Sequence, residues 1–312
     1  MTGVPSFPLT PVDPFGGEPR GPVFVAALQA GDWRTAEEML AGVTTGDERE
    51  WFTNILDPVL GRPAGFDAWV EARPGSGAAR LVRGAHGVVW AWAARGAGRA
   101  STVSRDGWAL FHQRLRDADV DLFDAARLDS HDPSPWLHML RTGRGLRIPK
   151  NELRGRYDEA ESRCPRGWLH NYQYLQGICA KWGGSHELMF SFARDAAHAA
   201  PDGAPVIGLV AAAHFEAWLD LPEGDVKRSY FRRPEVADEI MLHAQRSVFS
   251  LDWVDDHTTV PVLNFFAAAL SRTRQTSSAQ IVSERIGSRR SQMPWALLPG
   301  ADYMFWMARS GE

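Results

Sequence analysis

The sequence predicts an all-α fold in which helical hairpins stack into an α-α superhelix, and three observations carry that prediction. Apolar residues recur every three to four positions, the period that lines one face of a helix. Alternation with a period of two, the mark of a half-buried strand, is almost absent. Prolines that follow a helix end recur at Pro133, Pro165 and Pro201, at intervals of 32 and 36 residues. This spacing suits a two-helix unit of about 34 residues, which cannot cover its own apolar face and must stack on its neighbours.

Taken in order, residues 1–22 carry prolines at positions 5, 8, 11, 14, 19 and 22. Proline lacks an amide proton and clashes with the preceding helical turn, so this segment reads as an extended, Pro-rich N-terminal arm. The rest, 23–312, reads as one helical repeat domain with a decorated boundary near 220–234. Residues 23–30 and 33–40 form the first hairpin, with Asp32 placed to accept from the free amides of the second helix. Residues 50–60 and 65–72 form the next. Helix 77–95 presents Leu81, Ala85, Val88, Val89, Trp92 and Ala93 on one stripe. Its partner, 102–128, presents Trp108, Phe111, Leu115, Ala118, Leu122, Ala125 and Ala126. Later helices are expected over 135–141, 151–163, 168–181, 185–199, 204–219, 234–250, 257–271 and 277–286, with a last one near 293–308. Between them, 220–234 reads as a charged loop.

Composition narrows the function classes. Of the 312 residues 44% are hydrophobic, enough for a sizeable core, and 23% are charged. The 34 basic against 38 acidic residues leave a net charge of -4, which is no electrostatic footprint for nucleic acid or an anionic membrane. Two cysteines, Cys164 and Cys179, exclude a disulfide-rich scaffold and read as small buried hydrophobes in a reducing compartment. The longest apolar stretch, 205–221, is broken by His214, Glu216 and Asp220 and falls short of the ~20 residues that span a bilayer. With no basic segment leading into an apolar one at the N-terminus, the expected location is cytoplasmic.

Five short stretches carry a resemblance: Ala93-Ala94-Arg95-Gly96, Ala100 with Thr102-Val103, Phe111 with Leu115, Asp132-Pro133 with Pro135-Trp136, and above all Lys181-Trp182-Gly183-Gly184-Ser185. Through them residues 64–221 resemble tetratricopeptide-like bacterial proteins, and more narrowly a family known only as a domain of unknown function. The resemblance implies a solenoid of helical hairpins and brings no activity or ligand with it.

The run from Lys181 to His186 lies between two expected helices. Gly183 and Gly184 can take positive φ, Ser185 can cap the following helix, and free amides beside Lys181 can hold a phosphate or carboxylate. Trp136 and Arg95 join Lys181, Trp182, Gly183, Gly184, Ser185 and His186 as candidate ligand-binding residues. The plain alternative is a helix end followed by a cap, with Trp182 packed between repeats. Asp252, Asp255, Asp256 and His257 form the densest acidic cluster, open to acid–base chemistry or to helix capping by Asp255 or Asp256. The ten histidines form no His-Glu-x-x-His pair, and His214 and Glu216, two apart, lie on different helix faces, so no metal and no cofactor is expected. Two basic runs, Lys227, Arg228, Arg232 and Arg233, then Arg272, Arg274, Arg285, Arg289 and Arg290, suit an acidic partner or RNA, or are solvated helix faces.

Thirteen tryptophans and fifteen phenylalanines are more than a helical bundle usually carries; most fill gaps between helices, and the hint of a groove is that Trp90 and Trp92, two apart, cannot face one core. The expectation is therefore a scaffold or adaptor that binds a protein, a peptide or a small ligand in a concave, aromatic-lined groove. The alternatives are an enzyme or accessory protein of a biosynthetic pathway, with its pocket near Lys181 and Ser185, and a nucleic-acid-linked regulator.

Overall fold

The computed structural model describes residues 7–96 and 103–311, so Ala100 and Thr102 of the resemblance lie outside the described residues. The fold is all-α: sixteen α-helices and several short 3-10 turns, with no strand among the described residues. The chain divides into two compact units, one of them Pro19–Gly177, the other gathering the residues up to Glu18 with those from Ile178 onward. The division falls at the end of a helix, away from 220–234.

The first unit holds α1 (Arg20–Ala30), α2 (Trp33–Ala41), α3 (Gly46–Asn54), α4 (Gly65–Ala72), α5 (Gly77–Arg95), α6 (Arg105–Leu128), α7 (Ser134–Leu146), α8 (Lys150–Arg163) and nearly all of α9 (Trp168–Ile178). Pro19 and Pro22 belong to the start of α1 and not to an extended arm, because a missing amide proton loses nothing in a first helical turn. Asp32 caps α2 by accepting from the Thr35 amide, as expected. Helix α3 starts earlier than 50 because Thr45 caps it through the Glu48 amide, and Asp47 and Glu48 in its first turn face the positive end of the helix dipole. It ends at Asn54; Ile55, Leu56 and Val59 continue the apolar period, but they are buried from turns. Ser104 caps α6, which sets its start at Arg105 rather than 102.

Helices α5, α6 and α7 enclose one core of Leu81, Val88, Ala91, Phe111, Leu115, Leu122 and Met139, with Trp92, Trp108 and Trp136 at its margin. Each fully buried Leu, Val or Phe there is worth about 1.5–3 kcal/mol relative to exposure. The α5 stripe passes through Ala91, leaving Ala93 exposed. Trp90 and Trp92 diverge as their spacing requires: Trp92 meets Phe111 edge-on, and Trp90 lies beneath Arg114. Helix α5 packs on α6, α6 on α7 and α7 on α8, while α3 packs on both α5 and α7.

The second unit holds α10 (His186–Ala199), α11 (Leu209–Asp220), α12 (Asp225–Ser229), α13 (Pro234–Arg246), α14 (Val260–Arg272), α15 (Thr276–Ile286) and α16 (Ala301–Ser310). Helix α14 is buried on nearly every side from Val260 to Leu270 and packs on α11, α13, α15 and α16, which makes it the centre of this unit. The stretch 220–234 is not a plain loop. It contains α12 and a 3-10 turn, Tyr230–Arg232, whose Tyr230 and Phe231 are buried. Among the described residues no helix is long and apolar enough to cross a membrane.

Candidate functional site

Around Lys181 the chain closes on itself. After α9 a 3-10 turn, Ala180–Trp182, leads to Gly183 at φ 79°. The amides of Gly183, Gly184 and Ser185 donate to the carbonyls of Ala180, Cys179 and Ile178, so the amides expected to cradle an anion are already bonded. Ser185 caps α10 by accepting from the Leu188 amide at 3.0 Å. Trp182 is half-buried. Lys181 Nζ donates to Glu216 Oε2 of α11 at 2.6 Å, and His186 Nε2 lies 3.0 Å from Asp220 Oδ2. These four side chains border a cavity of about 140 Å³ in which each basic group already has a carboxylate partner.

Arg95 and Trp136 serve the aromatic packing of the first unit. The Arg95 guanidinium sits 5.7 Å from the Trp92 ring and 5.5 Å from that of Trp108. Trp136 meets Phe123 edge-on and carries Arg163 over its ring at 5.5 Å. The acidic cluster is drawn apart into local contacts. Asp255 pairs with Arg289 at 2.9 Å and Arg285 at 3.4 Å. Asp256 accepts from the amides of Thr258 and Thr259 in the turn before α14, whose N-cap is Thr259, so neither aspartate caps the helix itself. His257 lies 3.4 Å from Glu18, and Asp252 is exposed.

The two basic runs meet instead. Arg285 and Arg289 are held by Asp255, and Arg290 by Asp302 and the Thr10 carbonyl. Arg228 and Arg232 from the 220–234 stretch, with Arg272 at the end of α14 and Arg274 in the turn after it, line a single cavity of about 280 Å³ together with Ser271, Thr276, Met304 and Met307. Arg274 has φ 63°, in the turn that folds the chain back into α15. Among the described residues Asp225, 2.6 Å from Arg228, is the one carboxylate in ion-pair reach of any of the four. Arg232 donates to the Arg228 carbonyl at 3.0 Å. Arg272 lies 5.6 Å from the Trp218 ring and 5.8 Å from the Phe231 ring, with its Nε buried and without a hydrogen-bond partner. Burial, and after it the like charge of Arg232, push the Arg272 pKa below its ordinary value, which still leaves the group a cation at neutral pH. The N-cap of α15, Gln275, makes no side-chain cap bond, and the helix begins at Thr276 in the cavity lining.

The first unit contains a buried polar cluster that no sequence motif announces. His170 Nδ1 lies 2.8 Å from Glu50 Oε1, and its Nε2 lies 2.9 Å from Glu161 Oε2. Asn171 Nδ2 donates to the same Glu161 oxygen at 2.8 Å, and the Tyr157 hydroxyl donates to Asn171 Oδ1 at 3.0 Å. Burial pulls the His170 pKa down, but the two carboxylates outweigh it and raise it to about 10. Burial pushes Glu50 up and the Cys164 thiol up beside it. Glu50 on α3 and His170 on α9 are 120 residues apart, so local spacing carries no trace of the pair. No family model, curated protein or solved structure matches the chain.

Proposed function

We propose that this is a tetratricopeptide-like helical-repeat binding protein whose ligand is a small phosphate monoester, held in the arginine cavity of the second unit. The observation that carries the proposal is the Arg272 guanidinium, partly buried with an unpartnered Nε, in a cavity lined by four arginines of which, among the described residues, Arg228 alone has a carboxylate partner, Asp225. A phosphate dianion matches that surplus, and its oxygens accept from the planar forks of several arginines at once. Met304 and Met307 offer the organic part of the ester an adaptable apolar wall. About 280 Å³ is near the lower end for small-molecule pockets, which favours a small ester over a nucleic-acid strand. Binding is favoured over catalysis because the Ser271 and Thr276 hydroxyls have no carboxylate or imidazole in the lining to activate them. The wider scaffold function expected from the sequence draws its support from the sequential packing of α5 to α8.

Calorimetric titration with phenyl phosphate at low salt tests this. Binding to the wild-type chain is expected, weakened in Arg272→Ala by about 1.5–3 kcal/mol, or roughly ten- to hundredfold, the worth of a hydrogen bond to a charged group. Arg274→Ala, at an exposed side chain, provides a second reading should Arg272→Ala disturb the packing on Trp218. No binding by the wild-type chain, or binding as tight as the wild type's in both variants, would refute the proposal. Tighter binding of an RNA oligomer than of the monoester would favour the nucleic-acid alternative.

A further inference from the structure

We propose that Glu50, Cys164 and His170 form a zinc site inside the first unit. Helices α3 and α9 and the turn after α8 bring a carboxylate oxygen, a thiol sulfur and a ring nitrogen within 4.8 Å of one another, and all three residues are buried. Carboxylate, thiol and imidazole together are the donor set of a borderline cation that accepts both nitrogen and sulfur, and zinc takes these ligands in tetrahedral sites.

Three further features belong to a metal centre rather than to a plain hydrogen-bonded pair. The outer nitrogen of His170 faces Glu161, which is itself held by the Arg166 amide at 2.9 Å and by Asn171 at 2.8 Å. This is the carboxylate–histidine arrangement that fixes the tautomer of a metal ligand and raises its basicity, and it leaves Nδ1 turned inward. Glu50 Oε2 is fully buried without a hydrogen-bond partner, a costly state for an acceptor that an ion removes. Gly167 completes the enclosure: a Cβ there would lie 2.9 Å from both Cys164 Sγ and Asp47 Oδ1 and 2.8 Å from His170 Cε1. Asp47 lies outside this group of three donor atoms, so the fourth position of the tetrahedron falls to a water molecule. On coordination the thiol and the His170 Nδ1 release their protons to solvent, and zinc takes the electron pairs they leave.

The test uses the full chain, stripped with a chelator and titrated with Co²⁺ as the coloured stand-in for zinc. A thiolate-to-cobalt charge-transfer band is expected, saturating at one equivalent and displaced by Zn²⁺. Cys164→Ser should abolish the band and Cys179→Ser should leave it, while Glu161→Gln should weaken the affinity about 10- to 100-fold through the orientation of His170. The wild-type titration decides the matter even if a variant folds poorly. Absence of the band there, or its loss in Cys179→Ser and persistence in Cys164→Ser, would overturn the site.

Discussion

Two cavities of the second unit are bordered by basic residues, and they differ in one respect. Lys181 and His186 each meet a carboxylate, Glu216 and Asp220, lying 35 and 34 residues further along the chain. Of Arg228, Arg232, Arg272 and Arg274, Arg228 alone meets a carboxylate among the described residues, Asp225. A cation in a sequence therefore says little about ligands until its counter-charge is located. The partners of Lys181 and His186 stand about one helical hairpin away, so these pairs tie α11 to the start of α10 and leave no charge for a ligand. The acids near these arginines in sequence are engaged one by one, Asp220 by His186, Glu223 by Lys227 and Asp225 by Arg228, and the fold places the remaining arginines of two stretches around one cavity.

The contrast breaks most visibly at the turn after Lys181, if that turn is structural. A Cβ on Gly184 would stand 1.7 Å from the Ile178 carbonyl oxygen, a backbone atom that cannot step aside. Gly184→Ala is expected to cost about 3 kcal/mol, the upper end for overpacking, and to lower the thermal midpoint by roughly 6–12 °C. Gly183→Ala meets open space but must hold φ 79°, for a cost of about 1–2 kcal/mol. Thermal denaturation followed by circular dichroism ranks the two. If Gly184→Ala proved the milder, the turn would not be the closed structure that silences Lys181.

A smaller effect sharpens the other side of the comparison. Thr276 is exposed at the arginine cavity, at the first position of α15, where an acidic residue suits the helix dipole. Thr276→Glu is expected to leave the thermal midpoint unchanged and to weaken phenyl phosphate binding about tenfold, near 1.4 kcal/mol, by supplying the missing counter-charge. Thr276→Gln, of the same length without the charge, separates electrostatics from crowding. Equal losses in the two variants would mean that shape rather than charge governs the cavity.

How much of this was legible in the sequence follows from which interactions are local. The helices α5 and α6 were plain because the residues that bury them, Leu81, Val88, Phe111, Leu115 and Leu122, recur within one element. Asp32 was legible as a cap because its partner, Thr35, is three residues on. Helix α3 was misplaced because Ile55, Leu56 and Val59 keep the apolar period after the chain has left the helix. The basic runs were visible, but their division was not: Asp255 holds Arg285 and Arg289 across 30 and 34 residues, a distance at which spacing is silent. The Glu50–Cys164–His170 cluster lay beyond reach for the same reason, since a site assembled from three distant elements leaves each residue looking like an ordinary member of its helix or turn.

The smallest expected effect is the most direct test of counter-charge as the deciding variable. Glu216→Gln keeps the size and the hydrogen-bond acceptor of a side chain that is 4% exposed, yet removes the charge that balances Lys181, whose side chain is 44% exposed. A cation half in water attracts an anion by at most about 1 kcal/mol, and salt screens that attraction within about 8 Å at physiological ionic strength. In a Thr276→Glu background, where the arginine cavity is suppressed, Glu216→Gln is therefore expected to raise phosphate affinity about two- to fivefold at low salt and to lose that gain at 1 M. Lys181→Ala in the same protein should remove the gain. If no gain appears, pairing with Glu216 is not what keeps this cavity silent, and the bonded amides of Gly183, Gly184 and Ser185 are the remaining cause, since a lysine without amide donors beside it holds an anion by one point charge alone.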